Sequence, residues 1–315
     1  MERNSTTGGV LMRKSNRLFV CFLIICITVS GFLSKVIAQD QMPARPSLTK
    51  SLKTVKPMRE MTWMADTISL PQLFFPSAFK KTGRNEVIDS IALFIPIFER
   101  LRQVHAGISE DTVRIVHIGD SHVRGHIYPQ TTGTLLKEAF GAISYTDMGV
   151  NGATCLTFTH PDRIADIVAL KPELLILSFG TNESHSRRYN ANVHYNQMDE
   201  LIKLLRDRLP EVPILLTTPP GSYESFRQRR RKRTYSINPR TATATETIRR
   251  YAKDHHLLVW DMYDVVGGRE RACLNWTEAQ LMRPDHVHYL PEGYVLQGNL
   301  LYQALIQAYN DYVTR

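Results

Sequence analysis

The sequence is poor in cysteine, with four residues of this type among 315. Cys21 and Cys26 lie in an apolar N-terminal run, which leaves Cys155 and Cys273 for the rest of the chain. Two cysteines do not make a disulfide framework for a large domain. They could pair in an oxidising compartment or stay as two buried free thiols, and the sequence leaves both alternatives open.

Metal-binding motifs and internal repeats are also missing. The chain has no HExxH motif and no paired CxxC motifs, so we expect no metal site. Hydrophobic residues make up 43% and charged residues 22% of the chain, which is typical of a globular protein. This composition favours one large domain over a fibrous or repetitive architecture.

The longest hydrophobic run, LFVCFLIICITVSGFL at residues 18–33, is slightly short for a membrane span. Four basic residues precede it: Arg3, Arg13, Lys14 and Arg17. The short residues VIA at 36–38 follow it, which is the pattern of a secretory signal peptide. We therefore expect a signal peptide at 1–38 with cleavage after Ala38, a periplasmic or secreted protein, and no stable membrane insertion after cleavage. The alternative is that this segment stays uncleaved as a membrane anchor.

The net charge is +9, but residues 1–38 carry five bases and one acid, so the remainder is only mildly basic at +5. The densest charge run is RQRRRKR at 227–233. It can be a solvated loop, or a basic rim that attracts an anionic polymer such as cell wall or acidic polysaccharide. The export signal argues against nucleic acid as the partner.

The domain organisation follows from the periodicity of the chain. Residues 39–85 contain five prolines, and we expect them to form an irregular lead-in. We expect residues 86–315 to form the folded domain. Residues 87–104 have helical spacing, although Pro96 should bend or break that helix. Five strands are predicted at 113–119, 143–150, 173–180, 213–220 and 257–263, and helices at 131–141, 162–170, 193–209, 242–256 and 291–313.

Alternating strands and helices indicate an α/β fold with a parallel sheet covered on both faces. Ligands bind such sheets at the carboxyl ends of the strands. Polar loops follow the first three strands, with the sequences GDSH at 119–122, GVNGAT at 149–154 and FGTNES at 179–184. A fourth polar segment, RPDHVHYLPEGY at 283–294, comes just before the last helix.

These segments contain a candidate for each group that acyl transfer requires. Ser121 can be a nucleophile if a base takes its proton, and His288 can be that base, with Asp285 three residues earlier to orient it. The D-x-x-H spacing from Asp285 favours His288 over His286 as the base. The N–H groups of Ser121 and Gly152 and the side-chain amide of Asn182 can hold an oxyanion.

Each candidate also has a structural interpretation. Ser121 can be a helix N-cap, Gly152 can be a turn glycine, and Asn182 can cap a loop. Gly149 is expected to be a plain turn glycine. Asp120 is expected to be structural, bonding nearby N–H groups.

Histidines and aromatic residues outside these positions are open to two interpretations as well. His117 lies inside a strand and is expected in the core, while three other histidines can line a pocket or pack elsewhere: His122, His126 and His185. Trp276 and Tyr223 can stack on sugar rings or be buried.

The blocks GDSHVRG, GVNGAT, GTNE and DHVH, in this order, resemble the GDSL, or SGNH, hydrolase family over residues 113–315. The resemblance implies a flavodoxin-like three-layer α/β/α fold with a five-stranded parallel sheet. It also implies a serine esterase site at the carboxyl edge of that sheet, without a cofactor. The matching positions are Ser121 for the nucleophile, Ser121, Gly152 and Asn182 for the oxyanion hole, and Asp285 and His288 for the remaining triad residues.

His122 stands where many family members carry leucine. This histidine and the stretch CLNW at 273–276 resemble a bacterial branch of cell-wall and polysaccharide O-acetylesterases. The resemblance implies a serine esterase that removes short acyl groups, such as acetyl, from carbohydrate. Together with the export signal and the basic run, it makes an exported enzyme that acts on peptidoglycan the first candidate. The alternatives are an O-acetyltransferase with the same residues and a non-catalytic carbohydrate-binding protein on this scaffold.

Overall fold

The computed structural model describes residues 67–70, 72–90, 92–226 and 232–315. The expected signal peptide at 1–38, the first part of the lead-in and residues 227–231 of the basic run lie outside the described residues. Across the described ranges, no helix combines the length and the apolar character needed to cross a membrane.

The central sheet has six strands within the described residues, and a separate hairpin has two. The strands in chain order are β1 (Val87–Ile88), β2 (Val113–Gly119), β3 (Ile143–Gly149), β4 (Leu174–Ser178), β5 (Ile214–Thr217), β6 (Tyr223–Phe226), β7 (Thr234–Ile237) and β8 (Leu258–Trp260). The sheet order is β1-β8-β5-β4-β2-β3, and β6 pairs with β7. The five predicted strands are parallel to one another, and β2 lies between β3 and β4.

Helices connect the parallel strands and cover both faces of the sheet. They are α1 (Ile95–His105), α2 (Ser121–Arg124), α3 (Ile127–Phe140), α4 (Pro161–Ala169), α5 (Thr181–His185), α6 (Ala191–Arg208), α7 (Pro239–Asp254), α8 (Met262–Val265), α9 (Gly268–Glu278) and α10 (Pro291–Val313). The predicted α/β fold with a flavodoxin-like strand order is therefore confirmed.

The strand count is where the prediction was wrong. The segment 87–104 does not form one helix: Val87 pairs with Trp260 and Ile88 with Val259, which adds an antiparallel strand to the sheet edge. The helix starts only at Ile95, with Pro96 in its first turn. Proline fits there because the N–H it lacks would have no partner within the helix.

The core consists of two apolar layers, one on each face of the sheet. Side chains alternate along β2, so that Ile115 packs with the helices α1, α3 and α10, whereas Val116 and Ile118 pack with α4, α6 and α7. His117 is fully buried in this strand and hydrogen-bonds the Tyr145 hydroxyl at 2.8 Å and Ser178 Oγ at 2.7 Å. Burial lowers its pKa to about 3, so His117 is a neutral core residue, as expected.

The lead-in packs onto this domain. Its described residues, 67–70 and 72–85, form no helix or strand. The backbone N–H of Ile68 donates to Asn310 Oδ1, and the Asn310 amide donates back to the Ile68 carbonyl, each at 2.9 Å. The Phe79 and Trp276 rings pack edge to face, with their centroids 5.1 Å apart. These contacts tie the lead-in to α9 and α10.

Candidate active site

The predicted nucleophile follows the central strand directly. β2 ends at Gly119, and α2 begins at Ser121. The residue that caps α2 is Asp120, whose Oδ1 accepts the N–H of His122 at 2.9 Å. The cap role considered for Ser121 therefore belongs to Asp120, and the Ser121 hydroxyl is available for another partner.

That partner is His288, on the segment before α10. The Ser121 hydroxyl lies 2.9 Å from His288 Nε2, and His288 Nδ1 lies 2.9 Å from Asp285 Oδ2. The structure thus brings three sequence-predicted residues into one hydrogen-bonded chain, in which the histidine can accept a proton from the serine.

The Asp285 carboxylate is fixed by its own turn. Its Oδ1 accepts the N–H groups of Val287 and His288, each at 2.9 Å. Partial burial by itself would raise the pKa of Asp285, but the two N–H donors and the His288 ring outweigh it and hold the pKa below its usual range. Asp285 is therefore a carboxylate at neutral pH and can orient the histidine ring.

His286 faces away from this chain. Its backbone has a φ of 57°. Its ring packs against the rings of Tyr223 and Tyr235 in the β6–β7 hairpin, with 5.2 and 4.2 Å between ring centroids. The N–H of Tyr223 also donates to the His286 carbonyl at 2.9 Å. The hairpin, which the sequence prediction missed, thus supports the loop that carries Asp285 and His288.

The candidate oxyanion donors come from the next two strand ends. Gly152 has a φ of +72°, in the left-handed region that favours glycine, and the space where a side chain would begin is open. Asn182 lies in α5, just beyond β4. Its amide donates to the Ala153 carbonyl at 2.9 Å and to Asp120 Oδ2 at 3.3 Å.

Gly149 has a packing role and is not a simple turn glycine. It ends β3, and a Cβ at this position would lie 2.0 Å from the backbone nitrogen of Arg124. The absence of a side chain lets α2 approach β3 closely. Gly149 therefore helps to set the position of the helix that begins with Ser121.

An open cleft of about 590 Å³ joins these groups. Its described lining consists of Ser121, Arg124, Gly125, Asn151, Gly152, Asn182, Arg283, Val287, His288 and Tyr294. Four of the five sequence-predicted site residues therefore line one cleft, and Asp285 stands behind His288. The two arginines and Tyr294 were not predicted as site residues.

The other histidines of these loops lie outside the lining. His122 is buried and bonds the Tyr294 hydroxyl through Nδ1 at 3.1 Å, and burial lowers its pKa to about 3. His126 donates to the Asp147 carboxylate, and His185 Nε2 bonds Ser222 Oγ at 3.0 Å. These three rings support the surrounding loops.

Trp276 is fully buried, and its indole N–H donates to the Pro220 carbonyl at 3.0 Å. Its packing role is therefore confirmed and sugar stacking is excluded for it. The hydroxyl of the half-buried Tyr223 bonds Thr277 at 2.8 Å. Cys155 and Cys273 are buried free thiols, so the alternative of a disulfide between them is not realised.

One buried group in the described chain has the composition of a metal site: Cys155, Glu183 and His194, with candidate ligand atoms within 4.8 Å. Both Glu183 oxygens already accept N–H groups, from Cys155 and from Gly180, each at 2.9 Å. The carboxylate therefore links the loop after β3 to the start of α5, a structural role that needs no ion.

Comparisons with known proteins agree with this geometry. The family model described as GDSL-like Lipase/Acylhydrolase family matches residues 117–296, more than half of the chain. Among the curated proteins, none matches the sequence.

Among solved structures, a peptidoglycan O-acetylesterase is similar with a TM-score of 0.64 at 16% identity, covering 71% of this chain and 99% of that chain. A GDSL-like lipase from Bacteroides thetaiotaomicron is 22% identical, with a TM-score of 0.46, and covers 67% of this chain and 98% of that chain. At such identities, the likeness to the O-acetylesterase shows a shared fold.

Proposed function

The chain belongs to the GDSL-like lipase/acylhydrolase family of carboxylic ester hydrolases, and we propose that it is an exported serine esterase that removes acetyl groups from carbohydrate. The observation that carries the proposal is the chain of hydrogen bonds from Ser121 through His288 to Asp285. Ser121 lines an open cleft, and Asp285, at the other end of these hydrogen bonds, is a carboxylate.

The proposed reaction follows the logic of a serine triad. His288 Nε2 takes the proton of the Ser121 hydroxyl as Oγ attacks the ester carbonyl carbon. The tetrahedral intermediate collapses, and the sugar hydroxyl leaves with the proton from His288. A water molecule, deprotonated by the same nitrogen, then attacks the acetyl carbon. The bond to Ser121 Oγ breaks, Oγ takes the proton back from His288, and acetate is released. Asp285 holds the ring in place and stabilises its charged form.

The oxyanion is stabilised by the N–H groups of Ser121 and Gly152 and by the Asn182 amide. Donors positioned before the reaction begins are often the largest single contribution to such catalysis. Both hydrogens of the Asn182 amide already have acceptors, Asp120 and the Ala153 carbonyl. The oxyanion therefore takes the place of Asp120, the more distant acceptor, in the hydrogen bond from the amide. No step of this reaction requires a cofactor.

Three observations support an acylated carbohydrate as the substrate, with peptidoglycan first. The cleft is open and wide enough for a sugar ring, at about 590 Å³. One of the similar solved structures is a peptidoglycan O-acetylesterase. Residues 1–38 have the pattern of a signal peptide, which would place the protein in the periplasm or outside the cell.

The test is acetate release from O-acetylated peptidoglycan, acetylated xylan and aryl esters of increasing acyl length. We expect Ser121→Ala to lower kcat on the order of 10³-fold or more. Ser144→Ala, at an exposed position of β3, is the matched control and should keep the wild-type rate. Unchanged ester hydrolysis in Ser121→Ala would favour a carbohydrate-binding protein over an esterase.

The same assay distinguishes hydrolysis from acyl transfer. With an aryl acetate as donor and a sugar as acceptor, an esterase yields free acetate as its main product. If acetylated sugar is the main product instead, the chain is an O-acetyltransferase that uses the same three residues.

A further inference from the structure

The charged side chains in the described lining of the cleft are basic, apart from the titratable His288. The described lining includes two arginines, Arg124 and Arg283, and no aspartate or glutamate. Neither guanidinium forms an ion pair with any carboxylate among the described residues. The described lining itself therefore carries two positive charges and no negative one, and the nearest carboxylate of the triad, Asp285, is engaged by His288.

Arg124 follows the nucleophile by one turn on α2. Its guanidinium donates to His126 Nε2, and His126 donates through Nδ1 to the Asp147 carboxylate. This relay orients the arginine side chain, while Asp147 is engaged by the histidine. The remaining N–H groups of Arg124 are available to a ligand in the cleft.

Arg283, on the segment that precedes α10, is also held by hydrogen bonds. Its backbone N–H donates to the His288 carbonyl at 2.8 Å, and its Nε donates to the Tyr289 carbonyl at 3.1 Å. The side chain is thus anchored through Nε, and the two terminal nitrogens have no hydrogen-bond partner among the described residues. An arginine held in this way loses little conformational entropy when it binds a ligand.

We propose that Arg124 and Arg283 form a carboxylate-binding subsite, so that the ester is carried by an acidic glycan. The guanidinium group matches a carboxylate in shape and charge. The carboxylate can belong to a uronic acid or to the lactyl ether of a muramic acid that carries no stem peptide, since an amide bond to a peptide would remove its charge. This inference rests on the proposed esterase function and adds which charged group of the glycan is bound and by which residues.

The experiment compares each O-acetylated glycan as the free acid and as its carboxyl methyl ester. Two substrate series are used, oligogalacturonides and muramic acid disaccharides. Wild-type protein should deacetylate the free acid with a kcat/KM on the order of 10-fold to 100-fold above that of the methyl ester. The series with the higher kcat/KM identifies the source of the carboxylate.

Arg124→Gln and Arg283→Gln should each bring the ratio of the two kcat/KM values close to one, mainly through KM. Arg208→Gln, at an exposed position at the end of α6, is the control and should keep the wild-type ratio. The ratio is measured within each variant, so a partial loss of folded protein does not change it.

Equal rates on free acid and methyl ester in the wild-type protein would overturn the proposal. So would a preference for the free acid that survives in either arginine variant. Hydrolysis of an aryl acetate is measured in parallel: its absence would refute the esterase function itself, whereas its presence without a free-acid preference refutes only the subsite.

Discussion

Asn182 Nδ2 lies 3.3 Å from Asp120 Oδ2, so one buried carboxyl group joins the two sides of the candidate site. The other oxygen of Asp120 caps α2, the helix that begins with Ser121. Asp120 therefore fixes the predicted nucleophile and a predicted oxyanion donor relative to each other.

Asn182→Ala removes the only side-chain donor of the proposed oxyanion hole. We expect kcat to fall by about 10² to 10³, as when one such donor is lost elsewhere, with a smaller change in KM. Aryl acetate kinetics measures both constants. Asn192→Ala, at an exposed position of α6, is the matched control. A kcat within about twofold of wild type would exclude Asn182 from the oxyanion hole.

Asp120 should also make folding depend on pH. Burial raises its pKa to about 8; the N–H of His122 opposes this shift and the charge of Glu183 adds to it. The folded protein therefore keeps a proton that the unfolded chain loses near pH 4. The stability that this group contributes is full below about pH 4 and is lost as the pH rises towards 8.

Asp120→Asn has no such proton to lose. Relative to wild type, its free energy of unfolding should rise between pH 5 and pH 8, by at most about 1.4 kcal/mol per pH unit. Urea unfolding of both proteins at four pH values across this range measures the difference. A difference that stays constant with pH would show that Asp120 is already ionised in the folded protein.

Gly149→Ala should destabilise the fold by about 1–3 kcal/mol, because the added Cβ would overlap the backbone of Arg124. The resulting shift of α2 should also lower kcat. Gly125→Ala is a close control, since a Cβ there would have its nearest contact at 3.6 Å. Thermal unfolding should separate the two variants clearly, and equal melting temperatures would contradict the packing role of Gly149.

Tyr294→Phe removes the hydroxyl that bonds His122 Nδ1. The Nε2 atom of this buried histidine has no partner among the described residues, so the variant leaves the ring without any hydrogen bond. We expect a loss of about 1–3 kcal/mol in the free energy of unfolding. Tyr302→Phe in the same helix is the control, because its hydroxyl makes no hydrogen bond within the described part of the chain. Equal stability of the two variants would show that the bond to His122 contributes nothing.

Much of the fold was predictable because the parallel strands are buried on both faces. Their apolar runs, such as Leu174–Ser178, differ sharply from the polar residues that follow them. The strand ends then indicated where Ser121, Gly152 and Asn182 would come together. The spacing of Asp285 and His288 indicated a turn in which one residue orients the other.

Other features depend on partners that are distant in sequence. Two residues, Val87 and Ile88, have no periodicity of their own and become a strand only because β8 offers an open edge. The β6–β7 hairpin likewise has no strong alternation, and its tyrosines pack on His286 only in the folded protein.

The sequence by itself determined the fold class, the order of the strands along the chain and the types of chemical group at the sheet edge. These features depend on apolar runs and residue spacings that lie within short segments of the sequence. The tertiary structure alone decided that Ser121 and His288, 167 residues apart, lie 2.9 Å from each other. It also decided that Arg124 and Arg283 line the same cleft. Such distances result from the packing of whole elements on the sheet, which no local pattern encodes.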